Sequence, residues 1–151
     1  MTYELLDSGN GKRLEKIGGG LFIRPAFYAV WPARLSSSFW KRAGFEFQGQ
    51  SDGGKGRWVR HSPPSRSIFF IEYSGFHFEC RLTDYGHVGV FFEQKDQWAW
   101  LEKNTYSGAQ YLNLFAYTGG STFAAAKKAA VTHVDSSGSV LSWAKKNADL
   151  S

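Results

Sequence analysis

Asn113-Leu114-Phe115-Ala116-Tyr117-Thr118-Gly119-Gly120-Ser121, followed ten residues later by Val131-Thr132-His133-Val134-Asp135-Ser136-Ser137, is the stretch on which the reading of this chain turns. Tyr111 to Phe115 is a short apolar run of strand length, and Tyr117-Thr118-Gly119-Gly120 breaks it as a turn. Ser121 to Ala130 is alanine-rich and predicts a helix, Val131 to Val134 a second strand, and Val140 to Ala148 a further helix after a serine-rich turn. The order β-turn-α-β-turn-α opens a parallel, doubly wound sheet. Ligands of such sheets bind outside the carboxyl ends of the strands. The first turn, where Gly119 and Gly120 let backbone approach a ligand, and Asp135 at the end of the second strand are therefore the candidate site. Asp135 stands twenty-two positions after Asn113 (135 − 113). An acid about 20 residues past the first turn is placed to accept hydrogen bonds from both hydroxyls of an adenosine ribose.

Two nucleotide-type cofactors suit that arrangement. A dinucleotide asks for G-x-G-x-x-G, so that backbone amides meet a pyrophosphate. Phe115, Tyr117 and Gly119 stand at the aligned positions, and two of them are too bulky. S-adenosylmethionine carries no phosphate and tolerates a bulkier turn, so the spacing favours it. A nicotinamide-dependent oxidoreductase is the rival reading, and a plain strand–helix turn capped by an aspartate is a third.

Upstream, residues 1–92 read as a β-rich domain. Tyr3 to Leu6, Leu14 to Ile17 and Leu21 to Arg24 are short strands, and Gly9-Asn10-Gly11 has the positive-φ tolerance of a hairpin turn. Ser36 to Ala43 predicts one short helix. Gln48 to Gly56 and Ser62-Pro63-Pro64-Ser65 read as polar loops. Ser67 to Tyr73 and Phe76 to Thr83 are the clearest strands; in the second, Phe76, Phe78, Cys80 and Leu82 alternate with His77, Glu79 and Arg81, as in a half-buried strand. Residues 93–107 form a linking helix with a stripe through Trp98 and Leu101, and residues 108–151 begin the parallel sheet. The fold class is α/β: an N-terminal β-rich domain, then the first βαβα part of a Rossmann-like sheet.

The 151 residues contain 42% hydrophobic and 21% charged residues, the balance of a globular protein. No run approaches the roughly 18 apolar residues of a membrane span. The N-terminal residues show neither a basic leader nor a long apolar run, so no signal peptide is read and a cytoplasmic setting is expected. The single cysteine, Cys80, sits on an apolar strand face and reads as core rather than as a catalytic thiol. His77, His87 and His133 lack metal-ligand spacing, and no metal is expected. Most of Trp31, Trp40, Trp58, Trp98 and Trp100 read as core or interface packing, although aromatics also stack on single-stranded RNA. Between Lys12 and Arg66 eleven Lys or Arg face three acids, Glu15, Glu46 and Asp52. That excess suits either a solvated surface or a polyanion such as RNA.

The two opening stretches, with Tyr3-Glu4-Leu5-Leu6-Asp7-Ser8-Gly9, Lys12-Arg13-Leu14-Glu15, Ile23-Arg24-Pro25 and Gly86-His87-Val88-Gly89-Val90-Phe91-Phe92-Glu93-Gln94, resemble a family of class I methyltransferases. The family is that of enzymes similar to the large-subunit ribosomal RNA methyltransferases, in its branch without an extra N-terminal RNA-binding module. The resemblance covers nearly the whole chain. It implies S-adenosyl-L-methionine as cofactor, an RNA base as methyl acceptor, and a cofactor site built from Gln94, Phe115, Tyr117, Thr118, Gly119, Asp135 and Ser136. The family usually shows a proline where this sequence has Phe92. Family members continue with further strands, an acid contacting adenine and an Asn/Asp-Pro-Pro segment that meets the substrate, none of which occurs in residues 1–151. No catalytic residue is identified. The chain is therefore expected to be truncated after the second cofactor motif, inactive alone, and prone to self-association through an incomplete sheet. The alternative function is a nonenzymatic RNA-binding or scaffolding remnant of a methyltransferase.

Overall fold

The computed structural model describes residues 3–49, 54–61 and 68–151. The predicted loop Ser62-Pro63-Pro64-Ser65, the middle of the predicted loop Gln48 to Gly56, and Arg66 of the basic stretch lie outside the described residues. The chain divides into two compact units, Met1–Ile71 with Cys80–Val88, and Glu72–Glu79 with Gly89–Ser151.

In the first unit a five-stranded sheet runs in the order β1 (Tyr3–Gly9), β2 (Lys12–Ile17), β3 (Gly20–Pro25), β4 (Phe45–Gly49), β5 (Gly56–Arg60). Neighbours pair antiparallel except β3 and β4, which run parallel. A parallel pair needs a crossover, and the chain supplies one through α1 (Ser37–Trp40), a single turn capped by the Ser36 side chain. Asn10 (φ 53°) and Gly11 (φ 75°) make the β1–β2 turn with the positive φ expected of that hairpin.

Period-two alternation gives the sheet two unlike faces. One carries aromatics: Phe22 stacks on Phe45 at 4.7 Å between centroids and meets Trp58 edge-on at 6.1 Å, and Phe47 meets Trp58 at 5.4 Å. The other buries Leu14, Ile23 and Ala43 beneath Leu35, Phe39 and Trp40. Strands β4 and β5 flank and trim the loop read over Gln48 to Gly56, in residues to which the sequence assigned no strand. Phe45 and Phe47 alternate with Glu46 and Gln48, and that pattern is short enough to be lost beside the glycines that follow.

A hairpin, β6 (Ile68–Tyr73) and β7 (Phe76–Arg81), turns through Ser74-Gly75. Cys80 on β7 is fully buried, a core residue as read from the sequence. Glu79 departs from that reading: it is 1% exposed rather than solvated. In the second unit α4 (Gly138–Asp149) covers it. Lys146 pairs with its carboxylate, Trp143 Nε1 donates to its carbonyl at 2.9 Å, and its amide donates to Asn147 Oδ1 at 2.9 Å. A buried carboxylate survives there because charge and backbone are both satisfied.

The rest of the second unit comprises a 3-10 turn (Phe92–Gln94), α2 (Lys95–Asn104), β8 (Gln110–Leu114), α3 (Gly120–Ala126), β9 (Ala130–Val134) and α4. Strands β8 and β9 pair parallel and in register, Gln110 opposite Ala130 through Leu114 opposite Val134. The α3 helix stops at Ala126, four residues before the predicted end, and residues 127–129 turn the chain into β9. Phe123 of α3 packs on Phe76 and Phe78, and Trp98 of α2 on Tyr73 and Phe78. One face of the β8–β9 pair is covered by α3. On the other, Leu112 is 63% and Leu114 53% exposed, so these apolar strands are not covered on both faces within residues 1–151. Trp100 is likewise exposed, not packed.

Candidate functional site

The turn from β8 into α3 is unusual in its backbone. Phe115 (φ 54°), Tyr117 (φ 51°) and Gly119 (φ 110°) all lie in left-handed space. For a non-glycine residue this conformation costs about 1–2 kcal/mol, and such residues gather where a ligand or a switch is served. Phe115 also presents its ring to solvent, 89% exposed, at the carboxyl end of β8.

The two glycines are explained by packing. A Cβ on Gly119 would meet the Phe123 ring at 2.7 Å, and one on Gly120 the Trp98 indole at 2.4 Å. Both positions are glycine because aromatic rings lie against them, a reason the sequence reading did not supply. Thr118 is buried. Its hydroxyl donates to Gly89 O, and its carbonyl accepts from Asn147 Nδ2 at 3.0 Å, so both groups are spent on holding the turn.

Asp135 sits just past β9 and reaches back to the turn. Tyr117 N donates to Oδ2 at 3.0 Å and Ser137 N to Oδ1 at 3.0 Å. The Ser137 amide, then that of Tyr117, hold its carboxyl below the usual carboxylate range, so it is ionised at neutral pH. Each carboxylate oxygen can accept about two hydrogen bonds. With the Ser136 amide contributing beside those of Ser137 and Tyr117, Asp135 still keeps accepting capacity toward a ligand hydroxyl. Ser136 is exposed beside it.

Gln94, Phe115, Tyr117 and Thr118 line one cavity of about 260 Å³, with Phe91, Asn113 and Ser121. Gly119, Asp135 and Ser136 are outside that lining, although the Tyr117 amide ties Asp135 to it. Asn113, Ser121 and Phe91 lie in the stretches that carry the resemblance, with the Phe91 to Gln94 segment expected at the edge of the cofactor pocket, but none of the three was among the residues named for the site. Asn113 carried a signal: at period two it shares a strand face with His133, its register partner. Thr122 of α3 bridges them, accepting from Asn113 Nδ2 at 2.9 Å and lying 2.8 Å from His133 Nδ1. The Phe91 ring lies 4.9 Å from that of Tyr117. Among the described residues no group of three or more His, Cys, Asp or Glu is placed to hold a metal, and no helix is long and apolar enough to cross a membrane.

Comparison with known proteins bears on this geometry. The "SAM Dependent Methyltransferase from Agrobacterium tumefaciens" superposes on 99% of the chain with a TM-score of 0.92 and 36% identity, over 48% of its own length. The chain is similar to class I S-adenosylmethionine-dependent methyltransferases. Among curated sequences, "Ribosomal RNA large subunit methyltransferase K/L" of Hahella chejuensis is 39% identical over 88 residues, 57% of this chain and 12% of that protein. The protein of the same name from Allochromatium vinosum is 36% identical over 99 residues, 64% of this chain and 13% of its own length. No protein-family model matches the chain. These similarities bear out the resemblance read from the sequence, and with it the α/β, Rossmann-like class. The chain spans under half of the solved Agrobacterium chain and about an eighth of the curated relatives it matches.

Proposed function

We propose that the second unit forms part of the S-adenosyl-L-methionine site of a cytoplasmic methyltransferase whose acceptor is a ribosomal RNA base. Asp135 carries this reading. It is an ionised carboxylate at the carboxyl ends of two parallel strands, joined to a left-handed turn and with capacity to accept further hydrogen bonding. The similarity to named methyltransferases supports it. The residues in hand fit the group: a diol acceptor at Asp135, an exposed ring at Phe115, and a partly polar cavity edged by Gln94 and Asn113. In this assignment residues 1–92 form the β-rich domain, 93–107 the linking helix and 108–151 the first portion of the methyltransferase domain.

When bound, the cofactor supplies a methyl group already activated on a sulfonium. Residues of this chain need only hold and orient it. Asp135 takes the ribose hydroxyls, the Phe115 and Tyr117 rings flank the turn, and Thr118 and Gly119 fix its backbone. The basic excess from Lys12 to Arg66 supports an RNA partner, through phosphate neutralisation. The exposed Leu112 and Leu114 support self-association of the isolated polypeptide.

The test is calorimetric titration with S-adenosylhomocysteine and, separately, NAD. We expect S-adenosylhomocysteine to bind and NAD not to bind. Equal affinity for NAD, or no S-adenosylhomocysteine binding, overturns the assignment.

A further inference from the structure

A cavity larger than that at the candidate site lies in the first unit and has no part in the assignment above. Its origin is geometric. The sheet face bearing Leu14 and Ile23 is covered by Leu35 and by α1, whose four residues make a helix about 6 Å long. Five strands about 4.8 Å apart span roughly 19 Å. The helix therefore leaves much of that face open, and a trough of about 720 Å³ remains. Ile23, Leu35, Trp40 and Ala43 form its apolar part.

The rest of the lining is mostly polar, from Asn10 and Ser37 to two lysines, one histidine and one acid. Lys12 enters from β2, Lys41 from the residue after α1, and His61 from the residue after β5; Glu46 of β4 is the one acid. Lys12 Nζ donates to Glu46 Oε1 at 2.7 Å, and His61 Nε2 lies 3.4 Å from Oε2. The Lys12 hydrogen bond is the chief cause that lowers the Glu46 pKa, so the carboxylate is ionised at neutral pH and offsets one lysine only.

We propose that this trough is a binding site for one nucleotide of single-stranded RNA. The base lies in the apolar part beside Trp40, its phosphates face Lys12 and Lys41, and Glu46 with His61 meets the base's polar edge. Charge complementarity selects this occupant. An apolar peptide would fill the trough but leave the lysines unused, and an acidic peptide would reach the lysines but leave the trough empty. A nucleotide offers a flat apolar face and a phosphate in one unit. The volume falls within the roughly 300–1,000 Å³ of small-ligand sites. The inference rests on RNA being the partner, but it uses none of the residues assigned to the cofactor.

An RNA pentanucleotide is titrated into the protein at low salt and followed by amide resonances. We expect shifts at Ala33, Leu35, Lys41 and Ala43. The double variant Lys12→Gln/Lys41→Gln should bind about tenfold more weakly and lower the salt slope by about 1.4, since each phosphate contact on single strands contributes about 0.7. Ser37→Trp places a ring in the mouth of the trough without changing charge, at an exposed residue, and should also weaken binding about tenfold. Shifts located elsewhere, or loss of affinity in the lysine variant without loss in Ser37→Trp, would mean diffuse attraction and overturn the site. So would shifts produced by an acidic or apolar pentapeptide and not by RNA. S-adenosylhomocysteine affinity should be unchanged in both variants; its absence from the unsubstituted protein would sink the methyltransferase assignment and leave this site standing.

Discussion

Arg24 belongs to the basic stretch that invites an RNA interpretation, yet it is committed elsewhere. Its guanidinium is 3% exposed and grips Glu15, itself fully buried, with Nε to Oε2 at 2.6 Å and Nη2 to Oε1 at 2.8 Å. Tyr3 OH adds a third bond to Oε1 at 3.0 Å, and Arg24 Nη1 reaches Gly86 O at 3.3 Å. Arg24→Met removes the cation and leaves a buried carboxylate. Breaking a buried pair in this way costs about 3–5 kcal/mol. The Tyr3 hydroxyl remains, and Arg13 Nε stands 3.5 Å from Oε2 on a partly exposed side chain, so the lower end, about 3 kcal/mol, is expected. For a chain of this size that corresponds to a fall in Tm of about 6–12 °C. Glu15→Leu combined with Arg24→Met removes both charges and should return stability to within about 1 kcal/mol of the original. Urea denaturation followed by circular dichroism measures all four members of the cycle. A cost below about 1 kcal/mol for Arg24→Met refutes the reasoning, and so does a double variant as unstable as the sum of the singles. Because Arg24 is buried, the folded variant should also keep the salt slope of RNA binding.

Asp135→Ala should weaken S-adenosylhomocysteine binding about 10- to 100-fold by calorimetry, the loss expected when two hydroxyls lose a charged acceptor; unchanged affinity would reduce Asp135 to a turn cap. Asp7 predicts an acid-dependent loss of stability. Burial raises its pKa, but the Leu35 amide, the Trp40 indole and the Arg34 and Ser8 amides outweigh burial and hold it below the ordinary value. The stabilisation is therefore complete above the unfolded pKa of about 3.9 and is lost as pH falls through the lower folded value. Asp7→Asn should flatten the Tm–pH curve in that window, and an unaltered curve would contradict the assignment. Finally, the polypeptide of residues 1–151, assayed on its own with ribosomal RNA and labelled cofactor, should transfer no methyl group, since it contains no Asn/Asp-Pro-Pro segment; measurable incorporation would show that its own residues suffice.

The parallel pair was legible because two apolar runs, a glycine turn and an alanine-rich helix recur at fixed spacing, and nothing distant is needed to form them. The buried polar groups were not legible. Glu79 reads as the outward residue of an alternating strand, and only the arrival of Lys146, Trp143 and Asn147 from α4, more than sixty positions away, makes its burial possible. Glu15 and Arg24 likewise look like surface charges in a basic segment until β2 and β3 bring them together. Asp7 figured only within the Tyr3 to Gly9 stretch of the resemblance, yet its carboxylate accepts from three backbone amides and an indole and so anchors the entry to α1. In the candidate site, spacing indicated Asp135 but not the reason for Gly119 and Gly120, which depends on where Phe123 and Trp98 pack.

That packing bears on how the turn is held for a ligand. Phe115 and Tyr117 stay left-handed at a combined cost of about 2–4 kcal/mol, which local contacts must offset. A connected set of buried bonds does so: Glu79 N donates to Asn147 Oδ1, Asn147 Nδ2 to Thr118 O, and Thr118 Oγ1 to Gly89 O. Asp135 adds its bond from Tyr117 N. Because β7, α4, the Gly89 segment and the turn are tied through Asn147 and Thr118, the strained backbone is set before any ligand arrives. A ligand meeting it then loses little affinity to ordering the loop. Thr118, almost wholly buried, and Asn147 thus hold the turn through these bonds, and Thr118 also lines the cavity beside it.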